Sequence, residues 1–246
     1  MSDLNRNWFD QGGEAYSTFR PHYPAQLSEF LAGIAPNTTQ AVDVGCGNGQ
    51  LTRQLAQHFT SVSGFDSSVE QLEHAEAAEN VSYQVAPAED LPLLSRSTSL
   101  ITAAQAAHWF DLPAFYREVR RVAEPGAVLA LISYGVLELE EPLGERFRRF
   151  YWEEIGPYWP AERKLVDSGY ATLDFPFAVI EAPVMEIRLA WSLDEFLGYV
   201  GTWSAVRKAR EAGREGLLQA FARDLAGLWE GGMAVLWPIN MRLGRV

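Results

Sequence analysis

Short apolar runs alternating with amphipathic ones dominate the first half of the chain. AVDVG (41–45), SVSGFD (61–66), VSYQVAPAE (81–89), SLITAAQ (99–105) and AVLALISYG (127–135) are β-rich. Between them LTRQLAQHF (51–59), SVEQLEHAEAA (68–78) and PAFYREVRRVAE (113–124) carry apolar residues at helical spacing. Alternation with such short connections predicts a parallel sheet with helices on both faces. VLALIS (128–133) is apolar at every position but the last, as a strand covered on both sides must be.

Beyond residue 136 the pattern changes. Residues 136–182 mix helical charge patterning, prolines and a stripe of aromatics that includes Phe147, Phe150, Tyr151, Trp152, Tyr158 and Trp159, without β alternation. PVMEIRLAW (183–191) alternates like a strand, residues 192–230 return to helical spacing, and MAVLWPINMRLGRV (233–246) closes with a β pattern. The whole reads as one α/β domain: a doubly wound, mostly parallel, seven-stranded Rossmann-like sheet with a helical, aromatic-rich cap. Residues 1–40 precede the sheet, 41–135 form its first half, 136–182 and 192–230 are cap insertions, and 183–191 and 233–246 are late strands.

Composition narrows the class of function. With 48% hydrophobic and 21% charged residues in 246, the chain has the make-up of a folded globular protein. A net charge of −12 would repel a polyphosphate backbone, so nucleic acid is a poor candidate partner. The one cysteine, Cys46, cannot form an internal disulfide and has no companions at metal-ligand spacing, so no metal is expected. No apolar stretch reaches the roughly 18 residues of a membrane span. The expectation is a cytoplasmic protein acting on a small molecule; the oligomeric state is not readable.

The chemistry gathers at VDVGCGNGQ (42–50). A strand that ends in Gly45-x-Gly47-x-Gly49 and opens a helix lets backbone N–H groups approach a ligand with no side chain in the way. Asp66 ends the next strand, where a carboxylate can accept from both hydroxyls of a ribose. Together they specify a nucleoside site. A nicotinamide or flavin dinucleotide wants its third glycine one place later, where Gln50 stands. Asp43 puts negative charge beside the turn, which suits an ammonium or sulfonium better than a pyrophosphate. S-adenosylmethionine carries both cations.

On these residues the chain resembles the class I S-adenosylmethionine-dependent methyltransferases, through VDVGCGNGQL, GFDSS and APAEDLP. YSTFRPHYP (16–24), AAQAAHWFD (103–111) and GYVGTWSAV (198–206) further resemble small-molecule methyltransferases related to trans-aconitate methyltransferase. The resemblance implies that Gly45, Cys46 and Gly47 lie along the methionine of the cofactor, with Asp43 near its amino group. It also implies Asp66 on the ribose, Ser67, Ala88 and Glu89 around the adenine, and Gln105 beside the methionyl group. Tyr16 and Arg20 would belong to a segment that folds across the cofactor. Tyr23, Trp109, Tyr151 and Trp203 are the candidate substrate contacts. Where relatives place an aspartate before the Ala-Glu pair, this chain has Pro87.

Other residues read as follows. Arg20 offers a guanidinium for a carboxylate of cofactor or substrate, or else a surface ion pair at a helix boundary. His108, just past Gln105, is either a base for an attacking hydroxyl or amine or a structural histidine bonded to the backbone. Asp111 reads as the cap of the helix that begins at Leu112–Pro113. Cys46 has no cation near it to activate a thiolate and reads as a small residue filling the turn. The aromatic stripe is core packing, with substrate contact open for single members; Arg146, Arg148 and Arg149 are solvated or anion-binding. The expected activity is metal-independent methylation of a small molecule, on an oxygen of a carboxylate or hydroxyl with nitrogen and carbon acceptors left open, and with S-adenosylhomocysteine as product. The rivals are a non-catalytic S-adenosylmethionine-binding protein and a nicotinamide-dependent oxidoreductase.

Overall fold

The computed structural model describes residues 21–246. They fall into two compact units. The larger comprises residues 22–135, 164–186 and 238–246, and the smaller residues 136–163 and 187–237.

In the larger unit α1 (Ala25–Ile34) precedes β1 (Gln40–Val44), α2 (Gln50–Leu55), β2 (Ser61–Asp66), α3 (Val69–Glu73), β3 (Val81–Val85) and β4 (Thr98–Ala104). A single 3-10 turn (Ala107–Trp109), α4 (Leu112–Val122) and β5 (Ala123–Tyr134) follow. The strands run parallel in the order β3-β2-β1-β4-β5, as the alternation predicts. β4 is buried along nearly its whole length, and Val128–Ile132 of β5 are completely buried. β3 lies at the end of the order, and its alternating, partly exposed residues suit an edge.

The predicted helix over 68–78 shrinks to α3. None of its residues is buried, and five residues without tertiary packing lie far below the length at which a helix holds itself. The strand predicted at 127–135 begins four residues earlier, at Ala123.

Residues 136–182 hold more β structure than the sequence pattern suggests. They contain β6 (Glu138–Leu139), α5 (Leu143–Arg149), the short α6 (Arg163–Asp167) and β7 (Ala178–Ile180). β8 (Met185–Trp191), α7 (Leu193–Gly201), α8 (Ser204–Glu211), α9 (Glu215–Ala226) and β9 (Met233–Arg245) complete the chain. β9 is the hub: its residues 239–245 run antiparallel to β5, 243–245 also pair with β7, 235–236 pair with β6, and β8 joins it too. The main path β3-β2-β1-β4-β5-β9-β6 is a seven-stranded mixed sheet.

One face of the larger unit's sheet buries Val42, Val44, Ile101, Ala103, Leu129 and Leu131 against Phe115, Val119 and Val122 of α4. Val166, Tyr170, Leu173 and Phe175 belong to the same cluster. In the smaller unit the aromatic stripe is mostly core. Phe150 stacks flat on Phe221 at 3.7 Å, and Phe147 contacts Phe196, Tyr151 and Trp203. Arg146 is not solvated: it bridges Glu154 and Asp224 and lies over the Phe221 ring. Arg148 pairs with Glu141, and Arg149 lies 3.4 Å from Glu154.

Candidate functional site

The glycine turn sits at the carboxyl end of β1. Gly45, Gly47 and Gly49 all have left-handed backbones, with φ of 67°, 55° and 81°. At Gly45 an added Cβ would come within 2.5 Å of the Ala106 side chain, in the loop that follows β4. At Gly49 it would strike the Tyr83 hydroxyl at 2.1 Å. At Gly47 it would meet nothing nearer than the Gln71 side chain at 3.5 Å. The outer two glycines therefore serve close packing, and the middle one leaves the turn open.

The glycine pattern brings backbone N–H groups toward a ligand, and four of them are already paired within the fold. The N–H groups of Gly45 and Cys46 both donate to the Phe65 carbonyl, and that of Gly49 donates to Cys46. The Gly47 N–H donates to Asp66 Oδ2 at 2.8 Å. A phosphate cradle needs unpaired donors, and these four are spent inside the fold. At Gly47 the turn offers space.

Asp43 lies below the turn, fully buried. Its carboxylate accepts from the Thr52 hydroxyl at the start of α2 and from the Thr102 hydroxyl on β4, both at 2.7 Å. Burial pushes its pKa up from 3.8 to about 6, against the pull of the two hydroxyls. At neutral pH it still carries a negative charge, tied to the turn's own helix. The same burial, with Asp43 and Asp66 nearby, raises the Cys46 thiol, so Cys46 stays neutral and fills space.

Asp66 closes β2. Oδ2 takes the Gly47 N–H and Oδ1 takes the Ser68 N–H, each at 2.8 Å. A carboxylate has about four lone-pair directions, so two remain for outside donors. Ser67 beside it is exposed, and Ser68 caps α3. After β3, Ala88 is buried and Glu89 accepts the Asp111 N–H, which ties this loop to the entrance of α4. Pro87 presents no polar side-chain atom there.

Gln105 ends β4 in the left-handed region at φ 55°, with its side-chain amide 3.2 Å from the Tyr134 carbonyl. His108 lies in the 3-10 turn three residues on, half-buried, with Nδ1 2.9 Å from the hydroxyl of buried Tyr170. The Trp109 ring packs on His108 at 4.8 Å and is 65% exposed. Asp111 caps α4 as expected, accepting the Ala114 N–H. Tyr23 is buried beside Tyr134, and its carbonyl accepts from Gln54.

In the smaller unit Tyr151 is fully buried, with Trp159 and Trp203 within 5.6 Å of it, and Arg163 donates to its hydroxyl. Tyr16 and Arg20 lie outside the described residues.

Two participants escape sequence reasoning. Tyr83 is the cross-strand partner of Gly64, so its ring fills the space over that glycine and over Gly49. The Gly64–Tyr83 pairing was the available signal. Tyr170 carries no signal, because its meeting with His108 depends on a turn distant in sequence.

The geometry fits an adenosyl group with a cationic tail: a turn left open at Gly47, a buried carboxylate beneath it, and an acid with spare lone pairs at the end of β2. Comparison with known proteins agrees. The methyltransferase domain family matches residues 42–131. A Dictyostelium discoideum protein described as a methyltransferase is 34% identical over 221 residues, 88% of this chain and 84% of its own.

The chain belongs to the class I S-adenosylmethionine-dependent methyltransferases.

A solved structure from Anaeromyxobacter dehalogenans, described as a type II methyltransferase, is 44% identical to this methyltransferase with a TM-score of 0.87. The likeness covers 92% of this chain and 98% of that one. A malonyl-[acyl-carrier protein] O-methyltransferase of Hahella chejuensis is 31% identical over 160 residues, 57% of each chain. Membership makes this methyltransferase an enzyme and sets aside both rivals. No helix among the described residues is long and apolar enough to cross a membrane, and no three of their His, Cys, Asp or Glu side chains are grouped to hold a metal ion.

Proposed function

We propose that the enzyme methylates an oxygen of a small organic molecule, a carboxylate or a hydroxyl, at a position faced by His108. The observation that carries this reading is the placement of His108. It lies three residues past the strained Gln105, at the carboxyl end of β4, where open α/β sheets bind their ligands. The O-methyltransferase of Hahella chejuensis supports oxygen as the acceptor atom. The matching motifs at 16–24, 103–111 and 198–206 support a kinship with the trans-aconitate methyltransferases.

The methyl that S-adenosylmethionine supplies is already activated by its positive sulfur. What falls to the chain is alignment and the exclusion of water. In this reading Gly45, Cys46 and Gly47 flank the methionine, and Asp43 attracts its ammonium from below. Asp66 accepts the ribose hydroxyls on its two spare lone pairs. Ser67, Ala88 and Glu89 border the adenine, and Gln105 borders the methionyl group. Tyr16 and Arg20 complete the cofactor set, and Tyr23, Trp109, Tyr151 and Trp203 are the substrate contacts. No metal is needed for the transfer.

Two experiments test the proposal. Hydrogen bonds to a charged group are worth about 1.5–3 kcal/mol each, so Asp66→Ala should weaken S-adenosylhomocysteine binding by about 100-fold or more in calorimetric titration. Unchanged affinity would remove the ribose role. A panel of carboxylic acids, phenols and amines incubated with methyl-tritiated S-adenosylmethionine then identifies the acceptor. Label that alkali releases as methanol marks a methyl ester, and label retained on an amine alone would overturn the choice of oxygen.

A further inference from the structure

Residues 86–97 link β3 to β4, and α4 grips them through one buried acid and one arginine. Glu118 Oε1 accepts the Leu91 N–H at 2.7 Å. The Arg121 guanidinium, one turn on, bonds both Glu118 oxygens at 2.8 and 2.6 Å. It also donates to the Leu91 and Leu93 carbonyls at 2.8 and 2.7 Å. The main-chain carbonyl of Arg121 takes the N–H of left-handed Arg96. Hydrogen bonding to Arg121 holds the Glu118 carboxyl below the usual carboxylate range, so the acid is ionised at neutral pH.

The Leu91 side chain is already anchored in the core cluster. Apolar burial has no direction, whereas a forked ion pair that takes both main-chain polar groups of one residue fixes its orientation. The turn just before it inherits that orientation, because the Asp90 N–H donates to the Pro87 carbonyl.

That turn lies beside Asp66. Parallel register pairs Asp66 with Val85, so the two side chains share a face, and the Ala86 N–H donates to the Asp66 carbonyl. Val85 is 49% exposed, an apolar platform at the end of β3. The strand order is β3-β2-β1. With the methionine of the cofactor over the β1 turn and its ribose on Asp66, the base extends the other way, over Val85 and onto residues 86–89. Pro87 and Ala88 offer it no polar side-chain atom, and Glu89 accepts the Asp111 N–H. Reading of the base edge at 87 and 88 therefore falls to the main chain. A side chain can swing after a shifted base; a main-chain group moves only with its loop.

We propose that Glu118 and Arg121 are positioning residues for base selectivity: by fixing Leu91 they hold the main chain of 86–89 against the edge of the adenine. The proposal rests on the reading that places the ribose on Asp66. Neither residue touches the cofactor, and both act through the loop.

Calorimetric titration with S-adenosylhomocysteine and S-inosylhomocysteine tests this. The second ligand carries hypoxanthine, with a proton on N1 where adenine has a lone pair and an oxygen in place of the amino group. The unaltered protein should favour the adenine ligand by roughly tenfold or more, the worth of about one hydrogen bond. Glu118→Gln keeps the shape of the side chain and sets an amide N–H against Arg121. Arg121→Lys keeps the charge and loses the fork. Each should cut the preference by roughly tenfold. A clamp that serves stability alone would weaken both ligands alike or neither, so an unchanged preference in both variants overturns the proposal. An unaltered protein that binds the two ligands equally would overturn the seating of the base at 86–89, and the proposal with it. Hydrogen exchange on the unaltered protein needs no variant to fold. At equal saturation S-adenosylhomocysteine should slow exchange of the Leu91 amide more than S-inosylhomocysteine does, because coupling between base and clamp is reciprocal. Slowing confined to the Gly47 and Ser68 amides on Asp66, with Leu91 unmoved, would leave the ribose reading standing and remove the clamp from recognition.

Discussion

Asp43 shows how one side chain serves stability and binding in opposite directions. Between about pH 4 and 6 the native state keeps a proton on Asp43 that the unfolded chain has released, so stability falls as pH rises through that window and stays lower above it. Asp43→Asn escapes this loss. At pH 8 it should be more stable than the unaltered protein by up to about 3 kcal/mol, at roughly 1.4 kcal/mol per pH unit, and the gain should vanish below about pH 4. If Asp43 attracts the cofactor's ammonium as proposed, the same variant should also bind S-adenosylmethionine more weakly. Urea melts across the pH range decide the first point. A variant that is less stable at every pH would mean that the Thr52 and Thr102 hydrogen bonds outweigh the burial of charge.

Among the elements, the glycine turn is held from above by a ring on a neighbouring strand. Gly49→Ala adds a Cβ at φ 81° and drives it into Tyr83. The backbone part should cost about 1–2 kcal/mol, and the overpacking about 1–3 kcal/mol more. Combining it with Tyr83→Ala should recover the overpacking part alone, so a double-mutant cycle should show a coupling of at least about 1 kcal/mol. Strict additivity would mean that Tyr83 does not press on the turn. Much of this was legible in the chain. The parallel strands, Gly45 to Gly49, Asp66 and the Asp111 cap follow from periodicity and local backbone demands. The pairing of the turn's N–H groups was not legible, because the Phe65 carbonyl and Asp66 that take those of Gly45, Cys46 and Gly47 come from the next strand. The β7 pairing and the Tyr170–His108 contact were equally hidden. Each joins segments far apart in sequence, and neither local propensity nor spacing encodes such a meeting.

Over the whole molecule the excess of acid matters for kinetics. S-adenosylmethionine carries a net charge of +1, from its sulfonium, ammonium and carboxylate, whereas S-adenosylhomocysteine is neutral overall. A protein of net charge −12 should therefore speed the approach of the first and leave the second unaffected. Stopped-flow association rates should fall severalfold for S-adenosylmethionine as ionic strength rises past the point where the Debye length is about 10 Å, and stay level for S-adenosylhomocysteine. Equal salt dependence for the two would place the negative charge away from the path of entry. The route of β9 has a different consequence, for synthesis. β5 presents Val128–Tyr134 to a partner that is translated only after the whole smaller unit has been made. Until residues 239–245 emerge, a nascent chain carries an apolar strand with one bare edge, the kind of surface that chaperones shield and aggregates recruit. Maturation of this enzyme is thus a race between its last antiparallel pairing and any stray strand that reaches β5 first.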